Sequence, residues 1–447
     1  MLHCLRRLLL YRVNTPAGCW LLLGLLLAEL PVVAQTSLSL AETLRLGGIH
    51  NTDLQLAIQR EAIAQSNQRI GVPDRLPSVV LGVSQNNYLN QYNSPTNFVR
   101  GIYQDNSLNG GISGSLLLYN GGRLGLSQIQ LNQLALRAAL ETQAVRQQVN
   151  RLLVEAYYRV VVEGAKLGVR SESVALSKAR WVDFKAQERL GKASTFDVLQ
   201  AENLFLIDST SYFQQDIEYQ IAQNRLHTAI GWNRFEPIVL TDSLTPTLHP
   251  AIFFNLSGKL ISLNFDLRSR RIGVMVAENT IRLQKTAFKP TVRLNSSIYQ
   301  SFTGTKFPDI PRINGNATSL LLAGFSLSVP LLPGREARRA VRQSELERGL
   351  SEITVRGAER RLLAEADLLE RSYQEQSRIV ALSERLINNA ARSLTIAHNR
   401  LLGGFSNLIE YRSVQLAYTE AKLNHLQALY ALKLIESTAR QLIGTLK

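Results

Sequence analysis

The chain is written twice. Shifting the 447-residue sequence by 213 positions lays Asn51, Asp53 and Leu54 on Asn264, Asp266 and Leu267. Pro77 falls on Pro290, Gly191 on Gly404, Asp197 on Glu410, and Ile230-Gly231 on Ile443-Gly444. Gly122-Arg123 matches Gly334-Arg335 at 212, so one residue is lost and later regained. Solenoid modules recur every 20–50 residues or so, and a period this long is a structural half-unit instead. Whatever fold forms must be built from two equivalent halves.

Proline placement divides each half. All 13 prolines avoid residues 96–236 and 334–447. A proline costs about 3 kcal/mol inside a helix, so such tracts mark where long helices are permitted. Arg123 to Arg189 contains glycine only at 125, 164 and 168, and Arg335 to Leu402 only at 349 and 357. Helices of that length run about 100 Å, far beyond a mean helix of about 11 or 12 residues. They need lateral support, and a seam is present. Val160, Leu167, Val174 and Trp181 recur every seven residues, as do Tyr373, Val380, Ile387 and Leu394 at the 213 offset. Heptads keep an apolar stripe facing a partner helix.

A strand pair precedes each long helix, over 77–119 and 290–330. From Ser78 to Tyr88, Val79, Leu81 and Val83 lie on one face, with Ser78, Gly82 and Ser84 on the other. Thr291-Val292-Arg293-Leu294-Asn295 alternates in the same way. The return strands are read at Ile112 to Tyr119 and Leu321 to Val329, where Phe325, Leu327 and Val329 oppose Gly324, Ser326 and Ser328. One apolar and one small or polar face is the period-two signature of a water-lined transmembrane barrel. Tyr88, Tyr92, Phe98, Tyr103, Tyr299, Phe302 and Phe307 cluster at the far strand ends, as an aromatic girdle would. The segments between the strands, 89–109 and 303–317, are rich in Asn, Gly, Pro and Ser and read as external loops. Four strands cannot close a barrel, because single-chain barrels start at about eight. Open edges in lipid leave backbone groups unpaired, so several chains must share one barrel.

The first 34 residues read as a secretory signal. Arg6, Arg7 and Arg12 form a basic start, Cys19 to Ala28 a short apolar core, and Val32-Val33-Ala34 the small residues of a cleavage site. Removing them takes away three arginines and one glutamate, and lowers the formal charge from +15 to +13. Both cysteines, Cys4 and Cys19, leave with the segment, so no disulfide or thiol chemistry is expected of the mature chain. An exported protein rarely meets nucleic acid, and the sequence carries no recognition motif for it. The basic balance is therefore read as a solvated or anion-facing surface. Histidines 50, 227, 249, 398 and 425 are scattered without metal-ligand spacing, so neither metal nor cofactor nor enzymatic activity is expected.

The order of these features resembles the TolC-type outer-membrane efflux protein family across nearly the whole mature length. The matching residues are Leu40-Ala41-Glu42, Asn51-Thr52-Asp53-Leu54, Leu76-Pro77-Ser78 and Leu118-Tyr119-Asn120-Gly121-Gly122-Arg123. Further on they are Glu155-Ala156-Tyr157-Tyr158, Arg189-Leu190-Gly191 and Asp197-Val198-Leu199-Gln200-Ala201. The resemblance implies a mixed α and β membrane protein. It would be a homotrimer with a shared twelve-stranded barrel in the outer membrane of a Gram-negative bacterium, continued by a long periplasmic α-helical coiled-coil barrel. Its implied partners are a periplasmic adaptor, an inner-membrane efflux transporter or ABC exporter, and outer-membrane lipids. The implied activity is passive export, either as part of a tripartite pump or of a type I secretion system. The competing reading is a periplasmic coiled-coil scaffold without a pore.

The organisation expected is a first repeat over 35–231 (long helix 123–189, returning helix 196–230) and a linker or equatorial segment over 232–255. The second repeat spans 256–447, with long helix 335–402 and returning helix 407–443. By resemblance, the breakers between long and returning helices are adaptor-docking tips, carried by Arg189, Leu190 and Gly191 and by Leu402, Gly403 and Gly404. Asp197 and Glu410 match positions that constrict the channel, with Ser413 and Ser406 where an acid and an arginine are often found. For Asp197, a plain helix-start carboxylate is the alternative. Arg371, Arg378, Arg385 and Arg392, again seven apart, read either as a solvated helix face or as a basic lumen wall.

Overall fold

Two strand pairs and two long helical hairpins make up the molecule. The computed structural model describes residues 37–72, 75–92, 101–232, 238–244, 249–306, 314–332 and 334–446. The signal segment, Phe98 and Phe307 lie outside them. A short strand β1 (Ser37–Leu38) leads into α1 (Leu40–His50) and α2 (Thr52–Ile70). Strands β2 (Ser78–Tyr92) and β3 (Gly101–Asn120) follow, then the long helix α3 (Arg123–Arg189) and the returning α4 (Thr195–Ile230). After β4 (Val239–Leu240) the order repeats: α5 (Leu256–Leu263), α6 (Phe265–Lys285), β5 (Thr291–Lys306), β6 (Asn314–Ser328), α7 (Arg335–Leu402) and α8 (Leu408–Ile443). Among the described residues no helix is long and apolar enough to cross a membrane.

The four long strands form one antiparallel sheet in the order β2-β3-β5-β6, which leaves β2 and β6 as edges. Its register aligns Leu81, Ile112, Ile298 and Leu321 in a row across all four strands, and each is exposed. The opposite face carries Ser78, Ser113, Ser115, Asn109, Ser297 and Ser301, cross-linked by Ser78 to Ser115 at 2.9 Å and Ser301 to Asn109 at 2.6 Å. The strands are longer than the alternating apolar pattern. Residues 89–92, 101–109, 303–306 and 314–317 are strand, not loop. Hydrogen-bond ladders need no apolar side chains, so Gln85-Asn86-Asn87 continues β2 as readily as Val79 to Val83 begin it. Strand parity also corrects the aromatic girdle. Among the described side chains, Tyr88 and Tyr299 fall on the polar face, whereas Phe302 shares the face of Ile298. Tyr299 packs over Gly111, where an added Cβ would come within 2.6 Å of the Tyr299 Cβ.

The internal repeat is visible bond by bond. Asn51 caps α2 by accepting from the Leu54 N–H and donates to the Ala229 carbonyl. Asn264 does the same for α6, with Leu267 and the Leu442 carbonyl. The two apolar cores correspond in the same way. Leu153, Val160, Leu226 and Ile230 in the first stand where Ala366, Tyr373, Ala439 and Ile443 stand in the second. Helix α3 packs on α2, α4, α6 and α8, and α7 on α5, α6 and α8, so the halves interlock. Asn150 on α3 donates to the Leu446 carbonyl, which ties the end of the second half to the first.

The segment between the halves is not a bare linker. β4 pairs in parallel with β1, and Asp242 just beyond it receives the Leu40 N–H at 2.8 Å. The Tyr157 hydroxyl lies 2.8 Å from Asp242 Oδ2 and 3.1 Å from the Leu38 carbonyl oxygen. Burial first, and then the carboxylate acceptor, pushes this phenol up to about 12. An unfolded tyrosine ionises near 10, so the stabilisation is intact below about pH 10 and is lost as pH climbs towards about 12. Tyr157→Phe is expected to flatten that alkaline loss and to cost about 1–2 kcal/mol at neutral pH through the missing hydrogen bonds. Chemical unfolding followed by helical circular dichroism at pH 7 and pH 11 measures both effects.

Candidate functional site

The helical end remote from the sheet gathers the residues of interest. Helix α3 ends in a Schellman motif: Lys192 N–H bonds the Gln187 carbonyl at 2.8 Å and Gly191 N–H the Glu188 carbonyl at 2.9 Å. Helix α7 ends identically, with Phe405 to Arg400 at 2.9 Å and Gly404 to Leu401 at 3.1 Å. The motif needs a left-handed residue, and Gly191 (φ 68°) and Gly404 (φ 74°) supply it. Gly403, by contrast, has ordinary right-handed helical backbone. Arg189, Leu190, Leu402 and Phe405 are exposed around the two turns, so apolar side chains face outward at the tips.

Asp197 and Glu410 occupy equivalent places in the first turns of α4 and α8, and both serve the helix start. Ser194 caps α4 by accepting the Asp197 N–H, while Asp197 Oδ2 accepts the Ser194 N–H at 3.0 Å and its hydroxyl at 2.7 Å. These bonds hold the Asp197 carboxyl below the usual carboxylate range. Asn407 caps α8 by accepting the Glu410 N–H at 2.8 Å. The Glu410 carboxylate receives the Ser406 hydroxyl at 2.9 Å and faces Arg400 at 3.9 Å. Within one chain Asp197 and Glu410 therefore have separate partners and are not brought together. Ser413 is exposed and bonds the Glu410 carbonyl of its own helix. Ser406 thus bonds Glu410 itself, and Arg400, not singled out from the sequence, lies beside the same carboxylate.

Of the four spaced arginines, all are exposed on α7. Arg371 pairs with Asp367 at 3.0 Å and Arg378 with Glu375 at 2.9 Å, whereas Arg385 and Arg392 form no ion pair among the described residues. Half of the stripe is neutralised locally.

Sequence reading missed the polar seam behind the tips. Arg412 on α8 makes a bidentate pair with Asp208 on α4, both bonds 2.7 Å, and both residues are buried. Ser173 on α3 donates to Asp208 at 3.2 Å. Closer to the tip, Arg180 on α3 bonds His398 on α7 and lies over the Tyr411 ring at 5.2 Å. One signal was available. Asp208 follows Ala201 by seven residues in a buried register that returns at Ala222, so a carboxylate stood where a small apolar side chain was due.

Comparison with known proteins now bears on this geometry. Residues 256–445 match the family model described as outer membrane efflux protein. The second half of the chain thus resembles the outer membrane efflux proteins. Solved structures extend the likeness over both halves. The fold here superposes on CusC, solved in work on conformational changes accompanying folding and transmembrane channel formation. That match has a TM-score of 0.73 and 16% identity, and covers 90% of this chain and 91% of that one. VceC, an outer membrane protein of Vibrio cholerae, matches with TM-score 0.70 and 16% identity over 91% of this chain and 96% of its own. The MtrE outer membrane channel of Neisseria gonorrhoeae, in its open state, gives TM-score 0.74 and 16% identity over 91% and 89%. At this identity the likeness establishes the fold. No curated protein sequence matches the chain.

Proposed function

We propose that this chain is one third of a passive export duct in the outer membrane of a Gram-negative bacterium, fed through a periplasmic adaptor by an inner-membrane transporter. One observation carries the reading. A four-stranded sheet with an exposed apolar face has two unpaired edges, and it continues into helices of 67 and 68 residues. Unpaired edges are not tolerated in lipid, and four strands are too few to close, so three copies would complete a twelve-stranded barrel. Exposed apolar residues on the helices support the same assembly. Leu199, Leu206 and Phe213 on α4 recur every seven residues and face outward, and Leu346, Leu350 and Ile353 on α7, spaced four and three apart, are exposed as well. A neighbouring copy would cover such stripes. A pore-free periplasmic scaffold explains the helices but gives no reason for the sheet's apolar face. The mature protein is expected to fractionate with the outer membrane and to run as a trimer in mild detergent. Recovery as a soluble monomer refutes the reading. No catalytic, metal or cofactor role is part of this reading.

Within the duct, the tips (Arg189, Leu190, Gly191, Leu402, Gly403, Gly404) are the adaptor-docking surface. Glu410 forms the acidic part of the aperture, with Ser406 and Ser413 beside it and Asp197 in the first half. Glu410→Gln is expected to lower cation selectivity in planar bilayers, because three carboxylates around one axis attract cations. An unchanged reversal potential under a salt gradient removes Glu410 from the aperture. The local acids beside Arg371 and Arg378 favour the solvated-face reading of the arginine stripe, and Arg378→Glu is accordingly expected to leave that potential unchanged.

A further inference from the structure

The turn from sheet to second long helix differs in kind from its counterpart in the first half. Ser328, the last residue of β6, pairs with Thr291 at the helical end of the sheet. Three and four residues beyond it stand Leu331 and Leu332, exposed to 87% and 90%, the most exposed large apolar residues described. They lie within about 13 Å of the sheet's end, just past its last ladder bond. Arg335, Arg338 and Arg339 follow within the first five residues of α7, all exposed, and none has an ion-pair partner among the described residues. Arg342, one turn further, is paired with Glu345 at 3.1 Å. Exposed Lys289 sits two residues before Thr291 on the same rim of the sheet. In the first half, the matching stretch Arg123-Leu124-Gly125-Leu126-Ser127 carries a single charge.

Helix stability cannot be the reason for these arginines. The start of a helix carries partial positive charge, so cations in the first turn are unfavourable there. Glu336 offsets only one of the three. Two leucines above and three arginines without ion-pair partners below match the layering of a membrane interface, in which apolar chains meet headgroups only about 5–7 Å thick.

We infer that Leu331, Leu332, Arg335, Arg338, Arg339 and Lys289 form a collar that docks anionic phospholipid headgroups of the leaflet at the barrel's helical end. The inference rests on the duct reading, which places that rim at the membrane surface. The leucines enter the acyl layer and the guanidinium groups bind phosphate oxygens, with the arginine fork suited to two-point contact. The assembled trimer would carry three such collars, all from second halves, and would gather anionic lipid around its base.

Vesicles of phosphatidylcholine containing spin-labelled phosphatidylglycerol or spin-labelled phosphatidylcholine provide the test. The full-length protein is expected to restrain the anionic label severalfold more than the zwitterionic one. R335Q/R338Q/R339Q is expected to bring that ratio close to one, since each near-surface arginine contributes about fivefold to affinity for an anionic surface. Melting in detergent should be unchanged or raised in this variant, because the helix start loses unfavourable cations. R371Q/R378Q/R385Q removes the same charge further along α7 and should keep the wild-type ratio. A ratio of one for the wild type overturns the collar, and so does an equal fall in the distant variant. Failure to insert into either vesicle overturns the duct reading itself, and the collar with it.

Discussion

Gly191→Pro and Gly404→Pro are each expected to abolish export while trimers assemble at the wild-type level. Both glycines stand at positive φ, 68° and 74°, and proline is locked near −65°. Both also donate an N–H that proline lacks, to Glu188 and Leu401. The combined penalty is about 3 kcal/mol or more, so the native turn becomes a minor form by a factor on the order of a hundred. Packing plays no part, because a Cβ added at either glycine meets nothing within 4 Å. Alanine at the same sites therefore isolates the backbone effect. It keeps the N–H, pays only the left-handed strain of about 1–2 kcal/mol, and should give a partial loss. The measurement is any assay in which the wild-type chain restores export to cells lacking their own duct, alongside native gels for the trimer. Full export by both proline variants would show that the tips touch no partner. Loss of the trimer would show that they take part in assembly.

Local rules account for what was legible in the sequence. Proline exclusion is decided residue by residue, and the two long helices lie inside the proline-free tracts for that reason. The strand-to-helix corner at Gly121-Gly122 was readable because both glycines need positive φ, 69° and 84°. Asn120 beside them accepts the Leu124 N–H, as a cap should. The distal strand ends were not legible. Gln104 to Gly111 has no apolar alternation, and only pairing with β2 and β5 reveals it as strand. The polar seam was still less accessible. Asp208 and Arg412 are 204 residues apart, whereas the repeat offset of 213 places Asp208 opposite Ala421 and Arg412 opposite Leu199. How far one helical hairpin slides along the other is set by packing between halves, which no periodicity within either half encodes.

That seam supports the second large prediction. Arg412→Met should destabilise the helical region by about 3–5 kcal/mol, the usual effect of leaving one member of a buried ion pair alone. Asp208 would then keep only the Ser173 hydroxyl, at 3.2 Å, for a carboxylate that is 4% exposed. Arg412→Lys should recover little, since an ammonium cannot reproduce two parallel bonds of 2.7 Å. The double variant Asp208→Leu with Arg412→Met should recover most of the loss, or exceed the wild type, because well-packed apolar side chains often replace a buried pair without penalty. Unfolding of detergent-solubilised trimer, followed by helical circular dichroism in denaturant, reads all three. A loss below about 1 kcal/mol for Arg412→Met would mean that water reaches the pair in the assembled protein. The contrast with the core around Leu153, Tyr157 and Leu226 is physical. Apolar burial there is non-directional and tolerates small shifts, whereas the α4–α8 contact near the tips depends on two oriented hydrogen bonds. If the double variant proves stable but export falls, the pair is kept for the adjustability of that contact and not for its strength.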